Sequence, residues 1–225
     1  EWRGCHAVLS GPAGGVVAVA ALARRLGLGP AFGLDMGGTS TDVSRVEGAP
    51  ERVESLSIAG LCLRVPAVRL ETVAAGGGSR LHRRAEGYAA GPDSAGADPG
   101  PAAYGRGGPA TVTDCEAVLG RLPTFPDVCG PERDQPLQTS AARDALECLD
   151  SERPVEGVAA GFRAVAHETM AGAVRALAAR LGVDPADHTL VAFGGAGPGH
   201  ACGVARRLGV RRVVVPALAS VFSAV

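Results

Sequence analysis

Asp35-Met36-Gly37-Gly38-Thr39-Ser40-Thr41-Asp42-Val43-Ser44 decides the reading of this chain. The apolar lead Ala31-Phe32-Gly33-Leu34 runs into it and Val43 follows the turn, so the pattern predicts strand, tight turn, strand. Gly37 and Gly38 free the turn to take unusual backbone angles and bring bare backbone close to a ligand. Thr39, Ser40 and Thr41 add hydroxyl groups, and Asp35 and Asp42 flank them. Free N–H groups with hydroxyls suit a phosphate, and a nearby carboxylate suits an accompanying Mg²⁺ or its waters. A plain hairpin with a Gly-Gly turn is the competing reading. Two acids, two glycines and three hydroxyl residues so close together favour the phosphate site.

Composition narrows the chemistry. The chain has 225 residues, 46% of them hydrophobic, enough to fill a core for one domain or two small ones. A net charge of −1 argues against a nucleic-acid or anionic-membrane surface. Only 4% of residues are aromatic, so no stacking platform for single strands is expected. The sequence contains neither Lys nor Asn. A Walker-type loop, which needs its Lys at the phosphates, is therefore excluded, as is Schiff-base chemistry through Lys. Any nucleotide must be held by backbone amides, hydroxyls, metal or Arg. Cys5, Cys62, Cys115, Cys129, Cys148 and Cys202 form no C-x-x-C pair, and buried or incidental thiols of a cytoplasmic protein are expected. No apolar run is long enough to span a bilayer.

Outside the central stretch, Ser10-Gly11-Pro12-Ala13-Gly14-Gly15 reads as a turn into a helix over Val16 to Leu26, with Ser10 as N-cap. An anion site at that helix start and an ordinary cap are both open, and the small residues permit close packing. Val53 to Ile58 and Leu61 to Leu70 read as strands, with Pro66 marking an edge or bend. Gly76-Gly77-Gly78 is either a second close approach of backbone to a ligand or a flexible loop. Leu81 to Ala89 reads as a polar connection, and Gly91 to Pro109 as an ordered irregular loop that carries function or packing. Thr111-Val112-Thr113-Asp114 caps a helix over Cys115 to Leu122, with Thr113 or Asp114 as N-cap; a metal or substrate carboxylate is the alternative role for Asp114. Ser140 to Leu149 reads as a short helix, and Val155 to Leu181 as a long one with Pro154 before it and Gly182 after it. His167-Glu168 lacks the second His of a helical zinc motif, since residue 171 is Ala, so zinc is excluded there.

Near the C-terminus, Thr189 to Phe193 reads as a strand and Ala201 to Leu208 as a helix, with Val213 to Val215 a further strand. Gly194-Gly195-Ala196-Gly197-Pro198-Gly199-His200 lies between the first two. Strand, Gly-rich turn, helix, strand is a right-handed crossover unit that binds nucleotide at the turn. The glycine order is not that of a dinucleotide fold, so Gly194, Gly195 and Gly197 are read as a mononucleotide loop against an adenosine.

With both Gly-rich turns placed, Ser10 to Ala20, Asp35 to Ser44 and Val191 to Gly199 resemble three ATP-site segments of the actin, hexokinase and heat-shock chaperone superfamily. More closely, the chain resembles the ATP-binding subunit of the hydantoinase/5-oxoprolinase family, the hydantoinase A type. Ser-Gly-Pro-Ala-Gly-Gly (10–15), the 35–44 stretch, Ala-Gly-Gly-Gly-Ser (75–79), Ser-Ala-Gly-Ala-Asp-Pro-Gly-Pro (94–101), Tyr-Gly-Arg-Gly-Gly (104–108), Thr-Val-Thr-Asp (111–114) and Phe-Gly-Gly-Ala-Gly-Pro (193–198) stand in that family's order. Departures are Ala103 where the family has Cys, Gly199 where it has Leu, and a loose version of its small-residue turn at 220–225. The family's first phosphate loop, upstream of Ser10, and its C-terminal region are not in the chain.

The resemblance implies an α/β fold: a ribonuclease-H-like, actin-like ATPase mixed sheet with flanking helices and an irregular Gly/Pro-rich insertion near residues 80–110. It implies ATP and Mg²⁺ as cofactors and ATP-dependent opening of a cyclic amide such as 5-oxoproline or a hydantoin. Gly37, Gly38 and Thr39, with Ser40, Thr41 and Asp42, would face the phosphates. Asp35 would hold a Mg²⁺-bound water or orient the nucleophile, and Asp114 and His200 are further catalytic candidates. A hydantoinase B-type subunit or domain is the implied partner, in a hetero-oligomer. An acetone-carboxylase-type subunit using the same module on a ketone, and a non-catalytic nucleotide-binding fragment, are the competing readings.

Overall fold

A computed structural model describes residues 10–58, 61–122 and 124–224. The chain divides into two compact units. One comprises Glu1–Asp35, Asp42–Thr72 and Ala171–Val225, and the other Met36–Thr41 and Val73–Met170.

The first unit is built on a mixed sheet. β1 (Ala31–Met36) and β2 (Thr41–Glu47) form the hairpin expected from the sequence, and β2 continues antiparallel into β3 (Ala49–Pro50). Short pieces follow where two longer strands are expected: β4 (Arg52–Val53), β5 (Leu56–Ile58), β6 (Leu61–Leu63) and β7 (Ala67–Val68). They pair as two small antiparallel ladders, β4 with β7 and β5 with β6. β8 (Glu71–Val73) returns to pair with β2. On the other side of β1 lies β11 (Thr189–Phe193), parallel to it, and then β12 (Arg212–Val214), parallel to β11. The order β12-β11-β1-β2-β3, part parallel and part antiparallel, is that of a ribonuclease-H-like half. α5 (Gly197–Leu208) makes the crossover from β11 to β12. Every residue of β11, and all of β1 except Asp35, is buried, as strands covered on both faces must be.

α1 (Ser10–Leu26) packs on this sheet through Val16, Val19, Ala20 and Ala23 against Ala31, Val46, Val191 and Phe193. Here the structure corrects the expected turn at 10–15, because the helix begins a turn and a half before Val16. Gly14 and Gly15 lie inside it, where each costs about 1 kcal/mol relative to Ala. Their use is proximity. A Cβ on Gly14 would stand 2.4 Å from the Ser223 carbonyl oxygen, and one on Gly15 would stand 2.8 Å from the Phe193 ring. Phe222 adds an edge-on contact with Phe193 at 5.1 Å.

The second unit holds the hairpin β9 (Ser79–Arg84) and β10 (Gly87–Ser94), where a polar connection is expected from the sequence. The alternation of Leu81 with exposed Arg80 and half-buried His82 over so few positions is weak, and only tertiary packing reveals the strand. Of the irregular loop expected over Gly91–Pro109, residues 91–94 belong to β10 and residues 95–109 are irregular, with a short 3₁₀ turn at Ala102–Tyr104. α2 (Val112–Val118) and α3 (Thr139–Glu147) follow, and α4 (Val155–Leu181) has the bounds that periodicity predicts. Gly161 on α4 exists for Tyr88 of the hairpin, since a Cβ there would lie 2.5 Å from its ring. Tyr88 stacks on Phe162 at 4.1 Å and donates its hydroxyl to Asp150 at 2.6 Å. His167 is packed, at 2% exposure.

One polar cluster lies inside the first unit. Arg45 is buried and donates to Glu47, Glu51 and His188 Nε2, the last at 3.0 Å. His188 Nδ1 lies 2.8 Å from the Asp184 carbonyl, so the ring is a neutral tautomer with its proton on Nδ1. Burial holds its pKa below the usual histidine value; the Asp184 carbonyl opposes this and the Arg45 charge reinforces it. The unfolded ring takes up a proton first as pH falls, so acid favours unfolding. We expect wild type to lose stability relative to His188→Gln as pH drops below about 6.5. Urea midpoints from pH 8 to pH 5 would read this, and a flat difference would contradict a neutral His188.

Candidate active site

The parallel register places Asp35 opposite Phe193, at the carboxyl ends of β1 and β11. That end of an α/β sheet is where ligands bind, because the strand ends and the loops after them leave a crevice of unpaired backbone. Asp35 is half-buried. Burial raises its pKa, and the nearby Asp42 charge raises it further. Asp42 Oδ1 accepts the Thr72 hydroxyl at 2.6 Å. Two carboxylates sharing one region without a protein cation between them form a hard-oxygen site that a divalent cation would relieve. Among the described residues no group of three or more His, Cys, Asp or Glu could hold a metal by itself. Carboxylates are hard-oxygen donors of the kind Mg²⁺ takes alongside its waters and phosphate oxygens.

Phe193 leads into the Gly-rich turn. Gly194 has φ +82 and donates its N–H to Ala219 O at 2.8 Å. Gly195 is open, with no heavy atom within 4 Å of where a Cβ would stand. Gly197 is the first residue of α5, so the helix starts four residues earlier than expected and the free turn is short. His200, in the first turn of α5, is 2% exposed and engaged within the protein. It does not present itself to solvent.

The hairpin tip belongs to the second unit. Gly37 donates its N–H to Ser40 O at 3.1 Å and so closes the turn on itself. Gly38 and Thr39 are exposed, and among the described residues their N–H groups donate to no backbone acceptor. Thr41 is buried and gives its hydroxyl to Ala75 O at 2.5 Å. The outward donors are thus the N–H groups of Gly38 and Thr39 with the Thr39 hydroxyl, while Gly37 and Thr41 hold the turn's shape.

Gly76–Gly78 is buried against this turn. Gly77 N–H donates to Gly37 O at 3.0 Å and Gly78 N–H to Gly38 O at 2.6 Å. A Cβ on Gly76 would stand 2.6 Å from the Gly38 carbonyl and from the Thr39 carbonyl carbon. Three consecutive glycines are the available signal, which the sequence leaves open between approach to a ligand and a flexible loop; here they approach backbone. Thr72 and Thr113, which hold Asp42 and Gly77, carried no such signal.

Asp114 has both carboxylate oxygens committed to donors of the protein. Thr111 is the N-cap of α2 and Asp114 its third residue, which corrects the expected cap at Thr113 or Asp114 and the expected helix over 115–122. Asp114 is fully buried and accepts from Thr111 N–H at 2.7 Å, the Thr111 hydroxyl at 2.8 Å, Ala103 N–H at 2.7 Å and Ala102 N–H at 3.2 Å. Burial raises its pKa against these four hydrogen bonds. The carboxylate staples the 102–104 turn to α2, the capping reading of the two the sequence offers. Ala103, at 0% exposure, stands with its N–H on this carboxylate.

A family model described as Hydantoinase/oxoprolinase matches residues 1–225, and the chain belongs to that family. It is 45% identical over 241 residues to 5-oxoprolinase 1 of Arabidopsis thaliana, covering 100% of this chain and 19% of that protein. It is 43% identical over 236 residues to the 5-oxoprolinase of Saccharomyces cerevisiae, covering 100% and 18%. The chain therefore spans about a fifth of the length of these relatives. Among solved structures it resembles the ATP-dependent caprolactamase from Pseudomonas jessenii, with TM-score 0.82, 32% identity, and coverage of 95% of this chain and 31% of that one. It resembles nucleotide-free acetone carboxylase equally, with TM-score 0.81, 32% identity and the same coverage.

Two substitutions test the buttress. Gly76→Ala drives a methyl into the turn's backbone and is expected to cost about 1–3 kcal/mol, as overpacking does. Gly38→Ala meets nothing within 4 Å and should stay within about 0.5 kcal/mol of wild type. Asp114→Asn turns an amide donor toward N–H donors and is expected to cost about 1–3 kcal/mol. Urea denaturation of each variant checks these values.

Proposed function

We propose that this chain is the ATP-binding module of an ATP-dependent cyclic amide hydrolase that opens 5-oxoproline- or hydantoin-type rings. The observation that carries the reading is the exposed Gly38–Thr39 turn, with its free N–H groups, between Asp35 and Asp42 at the carboxyl end of the sheet. The relatives named 5-oxoprolinase support the ring amide as substrate.

Amide resonance makes the ring carbonyl a poor electrophile. In the proposed reaction the amide oxygen takes the γ-phosphoryl group of ATP, with ADP leaving. Water then adds to the activated carbon, the C–N bond breaks with the ring nitrogen keeping its electron pair and taking a proton, and a second water releases phosphate from the acyl phosphate so formed. Phosphoryl transfer asks the protein mainly for positioning and charge neutralisation. The Gly38 and Thr39 N–H groups and the Thr39 and Ser40 hydroxyls would meet phosphate oxygens. Asp35 would hold Mg²⁺ through its waters, and the ion would neutralise phosphate charge. Gly194 and Gly195 would lie against the adenosine.

Further points belong to the same proposal. "Caprolactamase subunit alpha" of Pseudomonas jessenii, 35% identical, carries a subunit name, which supports a second, hydantoinase B-type subunit or domain as partner in a hetero-oligomer. The cysteines 62, 115, 129, 148 and 202 are free thiols, which supports a reducing, cytoplasmic setting, while Cys5 lies outside the described residues. No helix among the described residues is long and apolar enough to cross a membrane. The likeness to acetone carboxylase favours a second reading, the same module acting on a ketone.

Calorimetry with Mg-ATP tests the site. Wild type is expected to bind, and Asp35→Ala and Gly195→Val to weaken binding by at least about tenfold, ~1.4 kcal/mol. Gly195→Val is informative because the position is open, so the fold tolerates a side chain that a nucleotide would not. Hydrolysis of ATP stimulated by a cyclic amide supports the amide reading. Stimulation only by a ketone with bicarbonate supports the second, and unchanged binding in both variants rejects the site.

A further inference from the structure

The N-terminus of α2 reaches the turn that the proposed function assigns to phosphate. Thr113 is the second residue of that helix, so its N–H is one of the donors a helix leaves unpaired. It donates to Gly77 O at 2.8 Å. The Thr113 hydroxyl donates to the same oxygen at 2.9 Å. A single bond would satisfy the orphan N–H; the second fills the remaining lone pair of the Gly77 carbonyl and fixes that peptide in two directions. Gly77 N–H, on the other side of the same residue, donates to Gly37 O at 3.0 Å. The neighbouring carbonyl of Gly78 is fixed in the same doubled way, by Ala95 N–H at 2.8 Å and the Ser94 hydroxyl at 3.2 Å.

We propose that Thr113 is a positioning residue for the Gly37–Ser40 turn. Through the Gly77–Gly78 peptide, whose N–H donates to Gly38 O at 2.6 Å, it sets the plane of the Gly38–Thr39 peptide, and so the direction in which the Thr39 N–H group points. Glycine is required at 76 and 78 because backbone must touch backbone there, and glycine by itself leaves peptide orientation loose. Doubled acceptors on Gly77 and Gly78 remove that freedom. Anion recognition by backbone donors depends on their being aimed before the ligand arrives. The inference rests on the reading of the turn as a phosphate site.

The test compares Thr113→Val, Thr113→Ser and Gly38→Val in the full-length protein, by steady-state ATP hydrolysis and by thermal unfolding. Thr113→Val keeps shape and N–H and removes only the hydroxyl. The expected result is a rise of about three- to tenfold in KM for Mg-ATP with kcat little changed. Thr113→Ser should restore KM to within about twofold, since the hydroxyl is regained. A Thr113→Val variant with a lowered Tm but wild-type KM would make the residue purely structural and overturn the proposal. So would a KM rise that Ser does not reverse. Gly38→Val, which places a side chain over the open turn, is expected to abolish nucleotide binding. If it binds nucleotide as wild type does, the phosphate reading falls and this inference falls with it. If it abolishes binding while Thr113→Val changes nothing, only this inference falls.

Discussion

Two backbone hydrogen bonds, from Gly77 N–H to Gly37 O and from Gly78 N–H to Gly38 O, hold the turn on which the site depends. A turn offered to an anion must spend its carbonyls elsewhere, or their negative ends would face the ligand. Here the inward carbonyls of Gly37 and Gly38 are consumed by the triple-glycine segment, and the N–H groups of Gly38 and Thr39 are left outward. Only glycine satisfies that arrangement at residue 76, because a methyl would stand 2.6 Å from the Gly38 carbonyl. The segment is supported in turn by Thr113 at the start of α2 and by Ser94 and Ala95 at the end of β10.

In the first unit, strand register sets the place of Asp35. Pairing Asp35 with Phe193 puts a carboxylate beside the turn that opens α5, at the end of the sheet where strand backbone runs out. α1 can lie close over this point because Gly15 has no side chain to strike Phe193, and the position a Cβ would take there is only 3.4 Å from Asp35 Oδ2. Asp42, oriented by Thr72, supplies the second negative charge. Burial on one side and a like charge on the other make Asp35 a costly ion and raise its pKa.

Asp114 stands in a Thr-Val-Thr-Asp motif beside a Gly/Pro-rich segment, where the sequence leaves open a helix cap or a metal or substrate carboxylate. Its four donors come from the residues it ties together, Thr111, Ala102 and Ala103, so it closes an irregular loop onto a helix. The Gly/Pro-rich stretch is ordered by such ties; Arg106 adds two more by donating to the carbonyls of Ala97 and Pro99.

Local pattern and chemistry were legible in the sequence. The hairpin 31–47, the long helix 155–181 and the strand 189–193 follow from apolar spacing and from glycine and proline at their ends, because these signals are carried by neighbours in the chain. The absence of Lys, which excludes a Walker-type loop, and the acid-glycine-hydroxyl stretch at 35–42 are likewise read directly from the chain. Tertiary structure alone decided what each glycine is for. Gly14 and Gly15 lie inside a helix, not a turn; Gly76–Gly78 touch backbone; and the hairpin 79–94 forms where local alternation is faint. It also decided which hydroxyls face outward and that His200 is buried. The reason is physical. A glycine's conformational freedom is a property of the residue, but what approaches it, and which of its neighbours' hydrogen bonds are already spent, depends on groups brought together from 34 to 209 residues away.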